Sequence, residues 1–519
     1  MESDSQFDVA VIGAGISGLT AAALLSKAGL RVVVLEAGPR PGGYLAGFKR
    51  NGFVFDSAIQ WLNQCQPGGL SYKLFEYLGA DFPKCRPLTR VRRYKGDSFD
   101  YLLTNDPVRL QDRLIKDFPS EKEGIRRFFK DARVLGEHLQ ILNSRMRAME
   151  TMSLWEKTGY GLRMLHWVLP VWKHLKISAE KGLERYFRSE DLKKIFCSED
   201  SMMAVMVPIG WAFMGDFQAP PTGGSSAFIE WLCGRIESSG SQIMLEHPVQ
   251  SVLLQDGRAA GVTLDTGEAV EARYVLGACD LETLYEKMLP PGTIPKDLAL
   301  RLKQADLYYS TVSVFIGLDC DAAGLGFDEE LICLTRDDVP RMDHSSGDPR
   351  KTSLIVIAPS VRDPSLAPEG KGTLTIHCPA YLDYADRWKT DEGLVRGDAY
   401  RSFKREFAEI MIERVEKALA PDLRKHIEVL EIATPVTYLR YTGNRDGSIM
   451  GARPSNKNIK NKIAHYRTPV QNLLLAGHWA EYGGGLPIAM KAAANASLLI
   501  LQQTHKSAYM ELREVVDRA

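Results

Sequence analysis

A chain of 519 residues is too long for one ordinary domain, and 45% hydrophobic residues suffice for a large core. Lys+Arg and Asp+Glu both number 65, so the net charge is zero and no global field draws the chain to nucleic acid. The cysteines (Cys65, Cys85, Cys197, Cys233, Cys279, Cys320, Cys333 and Cys378) form no C-x-x-C pair. That excludes zinc ribbons and thioredoxin-type pairs and fits reduced cytoplasmic thiols. No signal peptide precedes the first apolar run, and no run of about 18 apolar residues is present, so a cytoplasmic chain, soluble or peripheral to a membrane, is expected.

Phe7 to Ala37 reads as strand, glycine turn, helix and second strand, closed by Glu36. The turn is Gly13-Ala14-Gly15-Ile16-Ser17-Gly18, the G-x-G-x-x-G pattern. Gly13 permits the sharp turn, Gly15 leaves the backbone open to a pyrophosphate, and Gly18 lets helix and strand approach. The helix start at Ile16 and Ser17 offers free N–H groups and partial positive charge to phosphates. Glu36, followed by Ala37, can accept from ribose hydroxyls. With strand, helix and acid all in place, a dinucleotide site is expected.

Gly38 to Gly47 is a Gly/Pro loop whose Gly42-Gly43 pair is placed to close over the cofactor, and Phe48 to Asp56 is a hairpin turning at Asn51-Gly52. The stretches GAGISGL, LEAGPRPGG and GFVFDSA together resemble the flavoprotein amine oxidase and phytoene desaturase superfamily. The resemblance implies that the dinucleotide is FAD. It also implies an α/β fold: a Rossmann-type FAD-binding domain carrying an inserted α+β substrate domain.

Residues 106–215 are helix-rich, basic and aromatic. Lys157, Arg163, Lys173, Lys176, Lys181, Arg185 and Arg188 outnumber Glu180 and Glu184, and Leu162, Leu165, Leu169 and Trp172 recur at helical spacing around Trp167. Pro170 should kink or break this helix. Two readings stand: a core-facing helix with a solvated basic edge, or an interfacial segment that dips Trp and Leu into a bilayer. Gln242 to Asp280 is a β-meander with turns at Asp256-Gly257 and Asp265-Thr266-Gly267. By the resemblance, Val249 places backbone groups on the adenine. Thr311 to Leu318, Ser353 to Ala358 and Thr373 to Cys378 read as strands, and Asp398 to Leu419 as a long helix.

Leu473 to Ala476 reads as a buried strand ending at Gly477. Gly483-Gly484-Gly485 then precede a small-residue helix opened by Leu486 and Pro487, whose N-terminus can stabilise negative charge on a reduced flavin. TPVTYLRYTGN with GSIMG and AGHW with GGGLP resemble the carotenoid isomerase, retinol saturase and bacterial phytoene desaturase branch. Many relatives carry Gly-Asp where Gly477-His478 stands, and a Ser-Gly pair in the helix that here reads IAMKAAA. With no cysteine after Cys378, a C-terminal cysteinyl–flavin bond is excluded.

The expected parts are 1–105, 216–289 and 441–519 for FAD, 106–215 for helices facing substrate or membrane, and 290–440 for the substrate sheet. No nucleophile triad, H-E-x-x-H or second G-x-G-x-x-G is present, so no metal is expected and the chemistry is the flavin's. His478, Glu481, Tyr482 and Trp61, with Gln60, are the catalytic candidates by motif position. The expected activity is desaturation, saturation or isomerisation of a long hydrophobic polyene such as a carotenoid or retinoid. The alternatives are an amine-oxidase-like enzyme on a smaller substrate and a non-catalytic lipid-binding flavoprotein.

Overall fold

Val9 to Ile12 and Val32 to Leu35 are apolar without alternation, the signature of strands covered on both faces. In the computed structural model, which describes residues 6–144, 147–175 and 177–517, both are buried and pair in parallel. They centre a seven-stranded sheet ordered Val249–Gln255, Arg258–Leu264, Ala269–Gly277, Phe7–Ile12, Val32–Leu35 and Gln242–Met244. Leu473–Leu475 adds in parallel to the end of Ala269–Gly277. Helices Ile16–Lys27 and Leu486–Thr504 pack on it and on each other, with Ala21, Ala22, Ala492 and Ala493 buried. Alanine lets two helix backbones approach closely over a sheet. Asn51 and Gly52, both at positive φ, turn the hairpin of Phe48–Arg50 and Phe53–Phe55.

The second sheet is ordered Ile427–Ala433, Ser310–Leu318, Gly372–Ala380, Leu354–Ile357, Leu331–Leu334, Arg90–Lys95 and Asp100–Thr104. One face, with Val312, Val314, Ile316, Leu374 and Ile376, packs on helix Asp398–Ala418. The last two strands fall inside the expected 1–105 part but pair into this sheet. The run RVRRYK carries too little apolar alternation to announce a strand.

Helices Pro107–Asp117, Lys122–Ser144, Leu154–Leu175 and Met202–Phe213 form a bundle with its own apolar core. Leu154–Leu175 runs through Pro170 without a break. Proline removes one helical hydrogen bond, and the carbonyl it frees belongs to His166, which is exposed. Among the described residues, no helix is long and apolar enough to cross a membrane.

Candidate active site

The glycine turn is built as its spacing requires. Gly13 sits at φ +103°, and a Cβ at Gly18 would collide with the Gly13 carbonyl oxygen. Gly15 has an ordinary φ of −70° and open space where its side chain would be. The Glu36 carboxylate lies under the turn and accepts from the N–H of Ala14 and of Gly38, both at 2.8 Å. Gly42 donates its N–H to the Ala14 carbonyl at 2.7 Å, and Gly43 lies against the Gly15 Cα. Both glycines adopt positive φ. Exposed Ala37 follows Glu36. His247 N–H donates to the Glu36 carbonyl at 2.9 Å, which draws the segment leading into Val249 beside this end of the strand.

The C-terminal motif returns to the same turn. Gly477, at φ +84°, faces Ser17 on the first helix. Gly485, at φ +86°, caps the helix that Leu486 and Pro487 begin. Ser17 Oγ and Thr20 Oγ1 are buried without a hydrogen-bond partner among the described residues. Open space over Gly15, a helix N-terminus starting at Ile16 and an orphaned Ser17 hydroxyl make a cradle that fits the phosphates of FAD.

The four catalytic candidates separate. His478 lies with its ring on Gly451, where any side chain would collide with it, and desolvation lowers its pKa to about 4. Glu481 accepts from the Tyr466 hydroxyl at 2.6 Å and pairs with Lys491 at 3.2 Å. Tyr482 donates to the Asn458 carbonyl at 2.8 Å and accepts from Ala464 N–H at 3.3 Å. These two side chains therefore clasp the 458–466 segment. Trp61 packs in a different place, against Leu331, Cys333, Ile357 and Phe217. The neighbouring Gln60 carbonyl accepts from Arg362.

Sequence reasoning missed the residues that join the two sheets. Tyr438, on helix Pro435–Thr442, donates to the Ser57 carbonyl at 3.1 Å and lies 2.7 Å from Ser313 Oγ. Ser313 in turn is 2.8 Å from His377 Nδ1. Burial raises the Tyr438 pKa and lowers that of His377 to about 4. The signal was present but not distinctive: Ser313 and His377 lie in strands that also carry Thr311, Thr373 and Thr375, and a buried polar residue costs free energy unless partnered. Nearby, the Tyr44 hydroxyl donates to the Ser448 carbonyl at 2.7 Å, tying the Gly42-Gly43 loop to the C-terminal block.

The chain matches the family described as flavin containing amine oxidoreductase over residues 16–501. It is 27% identical to prolycopene isomerase 1, chloroplastic, of an Oncidium hybrid cultivar, over 88% of this chain and 76% of the relative. It is 25% identical to all-trans-retinol 13,14-reductase of Danio rerio, over 98% of this chain and 88% of the relative. Among solved structures, a putrescine oxidase triple mutant superposes with a TM-score of 0.62 at 16% identity, over 96% of this chain and 99% of the other. An oxidoreductase from Methanosarcina mazei gives a TM-score of 0.58 at 18% identity, over 96% of this chain and 100% of the other. The chain belongs to the flavin containing amine oxidoreductase family, as an FAD-dependent enzyme.

Proposed function

We propose that this enzyme acts on a carbon–carbon double bond of a long apolar polyene of the carotenoid or retinoid kind, by desaturation, saturation or isomerisation. The observation that carries this is the wall facing the FAD domain. It presents Trp61, Leu331, Ile355 and Ile357, and the histidine beside them is held neutral by burial. Such a wall suits an uncharged hydrocarbon and penalises an ammonium, whose burial demands a paired charge. Tyr482 and Trp479, the candidate walls of an amine cage, have their places elsewhere: the Tyr482 hydroxyl is committed to Asn458, and Trp479 is buried in the first core.

FAD supplies hydride exchange with the substrate carbon when bound. The chain's part is to hold it. The Ile16 helix start and Gly15 take the phosphates, Glu36 the ribose, and the Leu486 helix start the flavin's anionic edge. Trp61 and the inner sheet face orient the apolar body and exclude water. A water-insoluble substrate is collected from a bilayer, and helix Leu154–Leu175 is suited to that. Its exposed side carries Leu154, Trp155, Leu162, Leu165, Leu169 and Trp172, beside Lys157 and Lys173.

The test is anaerobic flavin spectroscopy. A polyene should bleach the oxidised flavin, reoxidise the reduced one or come back with altered double-bond geometry, whereas a primary amine should do none of these. Bleaching by the amine alone would sink the proposal. Binding of the polyene with no change either of flavin state or of the polyene's double-bond geometry over many turnover times would favour the non-catalytic reading. One Danio rerio relative, 24% identical, is itself named an inactive all-trans-retinol 13,14-reductase.

A further inference from the structure

Cross-strand register sets a file of residues on the inner face of the second sheet: Ala433, Ser313, His377, Ile355 and Cys333 stand side by side on successive strands. The other face is the apolar one under helix Asp398–Ala418. Trp61 packs on the cluster that contains Cys333, and Tyr438 reaches Ser57, so the file faces the FAD domain.

The hydrogen-bond chain through this file has a direction. Ser57 ends it with a carbonyl, which can only accept, so the Tyr438 hydroxyl donates there. Ser313 then donates to Tyr438, and its free lone pair accepts from His377 Nδ1–H. That order fixes the His377 tautomer and leaves Nε2 as an unprotonated acceptor. No donor among the described residues reaches Nε2. His377 is only 4% exposed, yet Nε2 is not one of the fully buried ring nitrogens, so a ligand can reach it. An acceptor in an apolar wall with little access to water is best met by a ligand that brings the donor. An ammonium donor would need its charge met nearby, and the file holds no carboxylate. A neutral hydroxyl needs only the acceptor.

We propose that His377 Nε2 accepts a hydrogen bond from a hydroxyl of the substrate, so that the enzyme prefers a polyene alcohol to the corresponding molecule without the O–H. Ser313 and Tyr438 are positioning residues that keep the ring in its accepting tautomer. The inference rests on the polyene reading above and adds the polar end of the substrate to it. Sites built around a substrate hydroxyl discriminate strongly against analogues that lack it, because the site's own polar group is then stranded.

The experiment titrates FAD-loaded protein with an all-trans polyene alcohol and with its methyl ether, which keeps the apolar body and removes the donor. Wild type should bind the alcohol at least about tenfold more tightly, the effect of one well-made hydrogen bond. His377→Phe should erase the difference while leaving flavin content and ether affinity unchanged. His377→Gln, which retains an acceptor oxygen, should restore part of it. Ser313→Ala frees the tautomer and should move the alcohol toward the ether's affinity, and it decides the matter if His377→Phe does not fold. Equal binding of the two ligands by wild type, or a preference that survives both His377→Phe and Ser313→Ala, would overturn the inference and leave the polyene reading standing. Failure of both ligands to bind would overturn both.

Discussion

Gly15 and Gly18 sit three positions apart and do different work. Gly18 is a packing requirement of the polypeptide: its missing Cβ is the space occupied by the Gly13 carbonyl, with the Ala278 methyl 3.2 Å away. Gly15 has an ordinary φ and open space where its Cβ would sit, so the free protein has no need of glycine there. Gly18→Ala should therefore cost roughly 1–3 kcal/mol of stability as an overpacked site and lose flavin as well. Gly15→Ala should leave the apoprotein melting temperature within about 1 °C, since surface substitutions are nearly neutral, yet cut the 450 nm absorbance per protein sharply. Equal flavin content in wild type and Gly15→Ala would show that the phosphates do not pass over this residue. Glu36 adds a related point: its carboxylate already caps the turn through Ala14 and Gly38, so it shapes the site before any ribose arrives.

Helix Leu154–Leu175 divides cleanly into two sides. Trp167, Val171 and His174 are buried against the bundle, while Trp155 is 89% exposed and Leu162, Leu165 and Leu169 exceed 60%. The interfacial reading centred on Trp167 is therefore corrected: Trp167 is 9% exposed, and the exposed apolar side chains of this helix are Leu154, Trp155, Leu162, Leu165, Leu169, Trp172 and Leu175. The helix start is pinned. Arg147 bonds Glu156 at 2.9 Å and Asp517 at 3.0 Å, which anchors the helix to Lys506–Asp517. Replacing Trp155, Leu165 and Trp172 by Ser should reduce flotation with anionic liposomes at least tenfold, because each apolar side chain withdrawn from water is worth about 1.5–3 kcal/mol when fully buried. Unchanged flotation would remove the membrane from the account. The elements with strong local chemistry were legible beforehand: the βαβ unit by its glycines, the two hairpins by Asn51-Gly52 and Asp256-Gly257, and the last long helix by Pro487. Which face of Leu154–Leu175 turns inward was not, because apolar residues surround that helix and only the partner bundle decides. The same limit hid His377, whose meaning comes from Ser313, 64 positions away in sequence.

His344, His377 and His478, in separate parts of the molecule, each have a pKa lowered to about 4, chiefly by burial. Unfolding returns them to about 6.5. Between those values the unfolded chain binds more protons, so stability falls as pH drops from 6.5 toward 4. Each contributes on the order of 3 kcal/mol at most over that window. Melting temperatures measured from pH 7.5 to 4.5 should decline steadily below 6.5, and a flat profile would contradict the burial of these rings. The parts are joined across long stretches of chain, and that has a consequence for synthesis. Strand Ala269–Gly277 has its outer edge covered by Leu473–Leu475, and the Ser17 side of the glycine turn is closed by Gly477. At ribosomal speeds of ~5–20 residues per second, the intervening chain takes roughly ten to forty seconds to appear. Until then the nascent first sheet presents an unpaired edge, its cofactor cradle lacks a wall, and a chaperone has reason to be in attendance.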